Sequence, residues 1–285
     1  MLGLDKIILH EGNLCLPRLG LSKTVAKNMF STADMIIHNG ADVSYMKTYE
    51  SLRQSNLQST KELAEMSLPR LIPIHYISSG GACIFAAAVI PGGINPVSVA
   101  QYPPPSDGSH GYGSSKWASE VFLEKLHYRT GRPVWIHRPS NIARTDAPGF
   151  DFIHNIRTYS ALLNAVPVAR GMALGKVDSV TLDAVVKGIM DSTRGDERTR
   201  GENDLKLHFL HHIGGVDLSL DDIRTWVTKG YNVNTEQNSQ HGEMEEITFG
   251  EWTARAKAQG MHPGIATILQ AFVDRSHLTF PKLAA

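Results

Sequence analysis

Short apolar runs alternate with longer amphipathic stretches along the first half of the chain, and the alternation predicts its elements. Lys6-Ile7-Ile8-Leu9-His10 reads as a short buried strand ended by Glu11-Gly12-Asn13. Ser22 is placed to cap a helix over Thr24 to Phe30, its hydroxyl taking a first-turn amide. Asp34-Met35-Ile36-Ile37-His38 is a second strand-length run, closed by Asn39-Gly40-Ala41. From about Tyr49 to Met66 an amphipathic helix sets Leu52, Asn56, Ser59, Thr60 and Leu63 near one face. Leu71 to Ile77 is the third strand, followed by Ser78-Ser79-Gly80-Gly81. Between Ala88 and His110 the chain is rich in Pro, Gly and Ser and predicts a loop, stiffest at Pro103-Pro104-Pro105. A helix then runs through Tyr112, Phe122 and Leu126 to Arg129, and Pro133 to Pro139 is a fourth strand.

Beyond Asn141 the rhythm changes. Ile156 to Leu163 reads as helix, Lys176 to Val180 as a short strand, Asp183 to Ser192 as helix, and Leu205 to Leu210 as a half-exposed strand. Asn232 to Glu246 reads as a polar loop and Thr248 to Ala284 as terminal helices. The expected fold is α/β: a Rossmann-like, mostly parallel, doubly wound sheet over residues 1–145, with a smaller C-terminal α/β substrate region over 146–285. Ligands of such sheets lie at the carboxyl ends of the strands, where Gly12-Asn13, Asn39-Gly40, Ser78-Ser79 and Pro139-Ser140 all fall.

Charge and composition narrow the partners. Lys plus Arg and Asp plus Glu both total 28, so nothing draws the chain electrostatically to nucleic acid or an acidic membrane. Cys15 and Cys83 are the only cysteines, too few for a disulfide framework or a cysteine zinc site. No metal site is expected of His208, His211 and His212: His211 and His212 are adjacent and point to opposite faces of a strand, so they do not readily share an ion. No run reaches the roughly 20 apolar residues of a membrane helix, and Met1 to Lys6 lacks the form of a secretory signal. A reducing, cytoplasmic setting is expected.

The candidate chemistry lies in Tyr112 and Lys116, a Tyr-x-x-x-Lys pair in Gly111-Tyr112-Gly113-Ser114-Ser115-Lys116. Four residues on a helix stack the side chains on one face, where an ammonium can favour ionisation of a phenol, as a tyrosine acid/base requires. Ser79 stands upstream at a strand end, with Ser78 as its alternative.

His75-Tyr76-Ile77-Ser78-Ser79, the Tyr112 to Lys116 helix and Val134 to Asn141 together resemble the extended short-chain dehydrogenases. More narrowly they are similar to the thioester reductase domains of nonribosomal peptide synthetase and polyketide hybrids, as are Pro17 to Ser22, Ile37 to Ala41, Asn56 to Thr60, and Phe249 to Pro263. The resemblance runs from about Asp5 to about Arg275 and selects Ser79 over Ser78. It implies NADPH-dependent reduction of a carrier-protein-tethered acyl or peptidyl thioester to an aldehyde or alcohol, in secondary metabolism. By position, Tyr112 would protonate the reduced carbonyl, Lys116 would lower its pKa and hold the ribose, and Ser79 would hydrogen-bond the carbonyl oxygen. Asn39, Gly40 and Ala41 would pass beneath adenine and ribose, Asn13 and Leu14 would lie near the adenine, and Pro139 and Asn141 near the nicotinamide.

Family members begin with a strand, a Thr-Gly-x-x-Gly-x-x-Gly turn and a helix, whereas this sequence starts at what corresponds to their third strand. An N-terminally truncated sheet is therefore expected. The resemblance also implies an alternative to hydride transfer, redox-independent Dieckmann-type cyclising release, and a second alternative is a non-catalytic role in binding a carrier or partner protein.

Overall fold

Ser22 begins the first helix as its position predicts: its Oγ accepts the Val25 amide at 3.2 Å and starts α1 (Lys23–Thr32). The computed structural model describes residues 6–143, 151–169, 173–174, 176–194, 207–215, 217–219, 222–228, 244–274 and 278–285. After α1 come β1 (Ile36–His38), α2 (Tyr49–Arg53), α3 (Ser59–Ser67), β2 (Ile74–Ile77), α4 (Ile84–Ala87), α5 (Gly111–Thr130) and β3 (Val134–Pro139). The chain divides into two units that interleave in sequence: Met1–Ala82, Val97–Arg138 and Asp196–Leu210 form one, and Cys83–Pro96, Pro139–Gly195 and His211–Ala285 the other.

In the first unit β1, β2 and β3 are parallel, with Ile36 opposite Ile74 and Ile74 opposite Val134. The sheet order is β1-β2-β3-β8, with β8 spanning Leu207–His212. Successive residues of a strand face opposite ways. Ile74, Tyr76, Val134 and Ile136 therefore share one face, where they pack on Ala64 of α3 and Leu123 of α5. The other face carries an aromatic row: the His75 and Trp135 rings stack 4.5 Å apart and Trp135 stacks on His208 at 5.2 Å.

Two details tie the helices to this sheet. Gly111 has no room for a side chain, since a Cβ there would lie 2.2 Å from the Lys47 carbonyl oxygen and 2.5 Å from the Thr48 carbonyl carbon. Arg132, buried just past the end of α5, donates from Nη1 to the Ala64 carbonyl of α3 at 2.9 Å. That cation meets exposed carbonyls at a helix C-terminal half, where positive charge is favoured, although desolvation still lowers its pKa to about 10.

The expected strand at Lys6 to His10 does not form. Ile7, Ile8 and Leu9 are exposed, and β1 is the last strand on its side of the sheet among the described residues. An extended run needs a neighbour for its amides and carbonyls, and residues 6–10 pair with none of the described strands. The expected helix over Tyr49 to Met66 is present but interrupted by a π turn at Gln54–Gln58.

The second unit adds β4 (Asn141–Ala143), α6 (Phe152–Leu163), β5 (Ala165–Val168), β6 (Ala173–Leu174), β7 (Val177–Thr181) and α7 (Leu182–Thr193). It continues with β9 (Asp217–Leu218), α8 (Ile223–Thr228), β10 (Glu245–Thr248), α9 (Phe249–Ala258), α10 (Pro263–Asp274) and β11 (Leu278–Thr279). β4 pairs parallel with β7, β7 antiparallel with β9, and β5 parallel with β10. Trp252 centres the core, its indole N–H donating to Ser160 Oγ at 3.1 Å and to the Ala165 carbonyl at 3.2 Å.

The expected loop from Asn232 lies outside the described residues as far as 243, and its end is instead strand β10, held by pairing to β5. The final residues are not helical either. Ile94 receives them as a strand partner, its amide donating to the Lys282 carbonyl and its carbonyl accepting the Ala284 amide, each at 2.8 Å.

Replacing Gly111 by alanine forces its new methyl into the backbone of residues 47–48 and should destabilise the protein by about 1–3 kcal/mol or more. A lowered urea midpoint at unchanged slope is the expected reading.

Candidate active site

Helix α5 delivers three buried polar side chains on one face. Tyr112, Lys116 and Glu120 recur at four-residue spacing, so they rise one above another on the side turned to the sheet. Lys116, only 3% exposed, donates from Nζ to the Ile77 carbonyl at the end of β2, at 2.8 Å. Its ammonium lies 4.9 Å from the Tyr76 ring centre and 5.9 Å from that of Tyr112, a cation held over aromatic faces. Burial lowers its pKa to about 8, and the Glu120 carboxylate opposes that shift.

Ser79 and Tyr112 are brought together as expected. The Ser79 hydroxyl accepts the Gly81 amide at 3.0 Å and pulls the Tyr112 phenol toward lower pKa. Ser78 has a different task, donating its hydroxyl proton to Glu120 Oε1. The structure thus separates the two serines, one toward the phenol and one toward the ion pair.

One expectation is reversed. The Tyr112 pKa is pushed up rather than down, by burial first and by the neighbouring Tyr45 second, with only Ser79 pulling it back. Lys116 spends its hydrogen bond on the Ile77 carbonyl and is not among the groups that shift the phenol. A protonated phenol is nevertheless what a proton donor needs at neutral pH.

Behind these groups stands a buried ion pair that the sequence reading missed. Arg138, near the end of β3, donates from Nη2 to Glu120 Oε2 at 2.7 Å and from Nε to both carboxylate oxygens at 3.2 Å. Its Nη1 donates to the Val97 carbonyl at 2.9 Å, and its guanidinium lies 4.7 Å from the Phe209 ring centre. The signal was present, since Glu120 continues the spacing of Tyr112 and Lys116 by another four residues.

Asn56 supports the helix from the other side. Its Nδ2 donates to Ser115 Oγ and to the Asp42 carbonyl, both at 2.9 Å, while its Oδ1 accepts the Asp42 amide at 2.7 Å. His38, at the end of β1, lies with Nε2 3.0 Å from Thr60 Oγ1, and burial with the Lys116 charge lowers its pKa to about 4. It is a neutral imidazole at physiological pH.

The segments expected near adenine meet in part. Leu14 stands against Gly40, its methyl carbons 3.2 and 3.4 Å from where a Cβ would be. Asn39 is exposed and Ala41 half-buried beside it. Asn13 is exposed and turned to its own loop, its Oδ1 accepting the Cys15 amide at 2.8 Å. In the second unit Pro139 closes β3 and Asn141 opens β4. There Ser140 Oγ and Asn141 Nδ2 are buried with no hydrogen-bond partner among the described residues, which fits groups that await a polar ligand. Lys116 fits as well, because an ammonium has three donors and Ile77 takes one.

A serine, a protonated tyrosine and a buried lysine thus stand together at the carboxyl end of a parallel sheet. The chain belongs to the NAD-binding family described as Male sterility protein, which residues 2–189 match. It is 38% identical over 271 residues to the Fusarin C synthetase of Gibberella fujikuroi, covering 95% of this chain and 6% of that protein. It is also 38% identical over 279 residues to a polyketide synthase-nonribosomal peptide synthetase of Aspergillus clavatus, covering 98% of this chain and again 6% of the relative. The chain thus corresponds to one short segment of such synthetases.

Among solved structures, the terminal R domain of the myxalamid PKS-NRPS pathway superposes with a TM-score of 0.67 at 21% identity, over 95% of this chain and 64% of that one. The reductase domain of a nonribosomal peptide synthetase from Mycobacterium tuberculosis gives 0.64 at 20% identity, over 96% and 65%. The Rossmann-like α/β fold expected from the sequence is the one these domains share, and the resemblance to thioester reductase domains is borne out.

Two outcomes test this site. Glu120→Ala leaves Arg138 buried without its counter-charge and should cost about 3–5 kcal/mol in chemical denaturation. Lys116 releases its proton near pH 8 in the folded state and near 10.5 when unfolded, so between those values the unfolded chain binds more protons. Its contribution makes stability rise with pH across that window, and Lys116→Met should flatten that rise in urea titrations at pH 8, 9 and 10.

Proposed function

We propose that this domain releases a carrier-tethered acyl or peptidyl thioester by NADPH-dependent reduction to an aldehyde, or to an alcohol after a second round. The observation that carries this reading is the buried, protonated Tyr112 beside Ser79, with the Lys116 ammonium 5.9 Å from the Tyr112 ring centre. The 38% identity to hybrid synthetases supports a substrate delivered on a carrier domain of a megasynthase.

A reduced nicotinamide supplies the hydride when bound. The residues do the rest. The Ser79 hydroxyl orients the thioester carbonyl by hydrogen-bonding its oxygen, and Tyr112 gives its phenolic proton to that oxygen as charge develops there. The phenolate left behind is then compensated by Lys116, whose charge is closest to useful at that moment and not before it. Expulsion of the carrier thiol from the resulting hemithioacetal leaves the aldehyde. Lys116, Tyr112, Asn39, Gly40 and Ala41 of the first unit would hold the nucleotide, with Asn13 and Leu14 flanking them.

The test is NADPH consumption at 340 nm with a pantetheine thioester. Tyr112→Phe should lower turnover about 10²–10⁴-fold with the fold intact by circular dichroism. Full activity in that variant removes Tyr112 as the proton donor, and product formed without any nicotinamide assigns the domain to cyclising release instead.

A further inference from the structure

The loop between β1 and α2 leaves three large apolar side chains in water, and one of them, Tyr45, lies against the proposed proton donor. Val43 is 61% exposed, Tyr45 60% and Met46 50%. Yet this loop is fastened throughout. The Asn56 amide holds Asp42 by both its amide and its carbonyl, at 2.7 and 2.9 Å. Asp42 in turn takes the Ser44 amide at 3.0 Å and the Lys47 ammonium at 2.6 Å. At the far end, Gly111 of α5 packs directly on the backbone of Lys47 and Thr48. A segment tethered to this degree does not expose apolar side chains for lack of order.

Tyr45 fixes where the exposed surface lies. Its ring centre is 5.0 Å from that of Tyr112, the planes tilted by 58°, in the range favoured by paired aromatics. One side of Tyr45 is thereby committed to the proton donor while most of the residue remains open to solvent. A carbonyl positioned at Tyr112 has its own substituent next to that open ring. A charged or strongly hydrated substituent would lose its water there without compensation, whereas a hydrocarbon would gain by leaving water.

We infer that Val43, Tyr45 and Met46 form the binding surface for the apolar part of the acyl chain, with Tyr45 the residue that sets chain-length specificity. This rests on Tyr112 being the proton donor proposed above. The ligand class is an aliphatic or polyene acyl group, bound within a few carbons of its thioester.

The experiment uses the full chain and pantetheine thioesters of butanoate, octanoate and dodecanoate, with the matching amides as unreactive probes for calorimetry. Burial of each methylene strengthens binding about fourfold while the surface lasts. Affinity for the amides should therefore climb from four to eight carbons in the wild type and in Tyr45→Phe, which keeps the ring. Tyr45→Ser should lose about tenfold on the eight- and twelve-carbon probes and less on the four-carbon probe, which lays fewer methylenes on the ring, at unchanged melting temperature. With turnover measurable, the same pattern should appear in kcat/KM. Equal chain-length dependence in wild type and Tyr45→Ser overturns the inference and leaves the hydride reading standing. Chain-length-dependent binding without NADPH consumption sinks the hydride reading and keeps the surface.

Discussion

A carboxylate shut away from water on the central helix must be answered by a cation, and this requirement organises the first unit. Glu120 is met by Arg138 through three donor contacts and by the Ser78 hydroxyl. Because Ser78 is the chain neighbour of Ser79, and Arg138 also binds the carbonyl of Val97, the pair draws the end of β2, the end of β3 and the loop before α5 onto one point. Desolvating two charges is costly, and such pairs are seldom strong net stabilisers. Their effect lies in geometry: a serine from one segment meets a tyrosine and a lysine from another with few alternatives.

The same burial sets the chemistry. Lys116 loses part of its preference for the charged form and Tyr112 strengthens its hold on its proton, so the two shift away from mutual ionisation. A phenol and an ammonium four residues apart are commonly read as a base in waiting. In this environment they are an acid and the group that tolerates its conjugate base. Glu120 moderates the cost to Lys116 from one turn further along.

Much of this was legible from residue order. Strand and helix spacing gave the parallel sheet because apolar runs at its core, such as Ile74 to Ile77 and Val134 to Ile136, leave little choice of structure. Ser22, Tyr112 and Lys116 act locally or at helical spacing, which a sequence displays directly. What escaped depends on distant partners. Ile7 to Leu9 has strand composition but joins no described strand and lies exposed, and Glu245 to Thr248 is polar yet pairs with Ala165 to Val168. The direction of the Tyr112 pKa shift escaped too, since it depends on enclosure and on Tyr45, 67 positions earlier.

The π turn at Gln54–Gln58 carries a constraint of another kind. It holds one residue more than a regular helix would, at the position where Asn56 reaches both Asp42 and Ser115. Deleting a single residue there would regularise the backbone ladder and also rotate everything beyond it by about 100°. The amide would swing off its two partners. Local helical ideality and correct aim are incompatible at this site, so the length of that segment is as fixed as the identity of its asparagine.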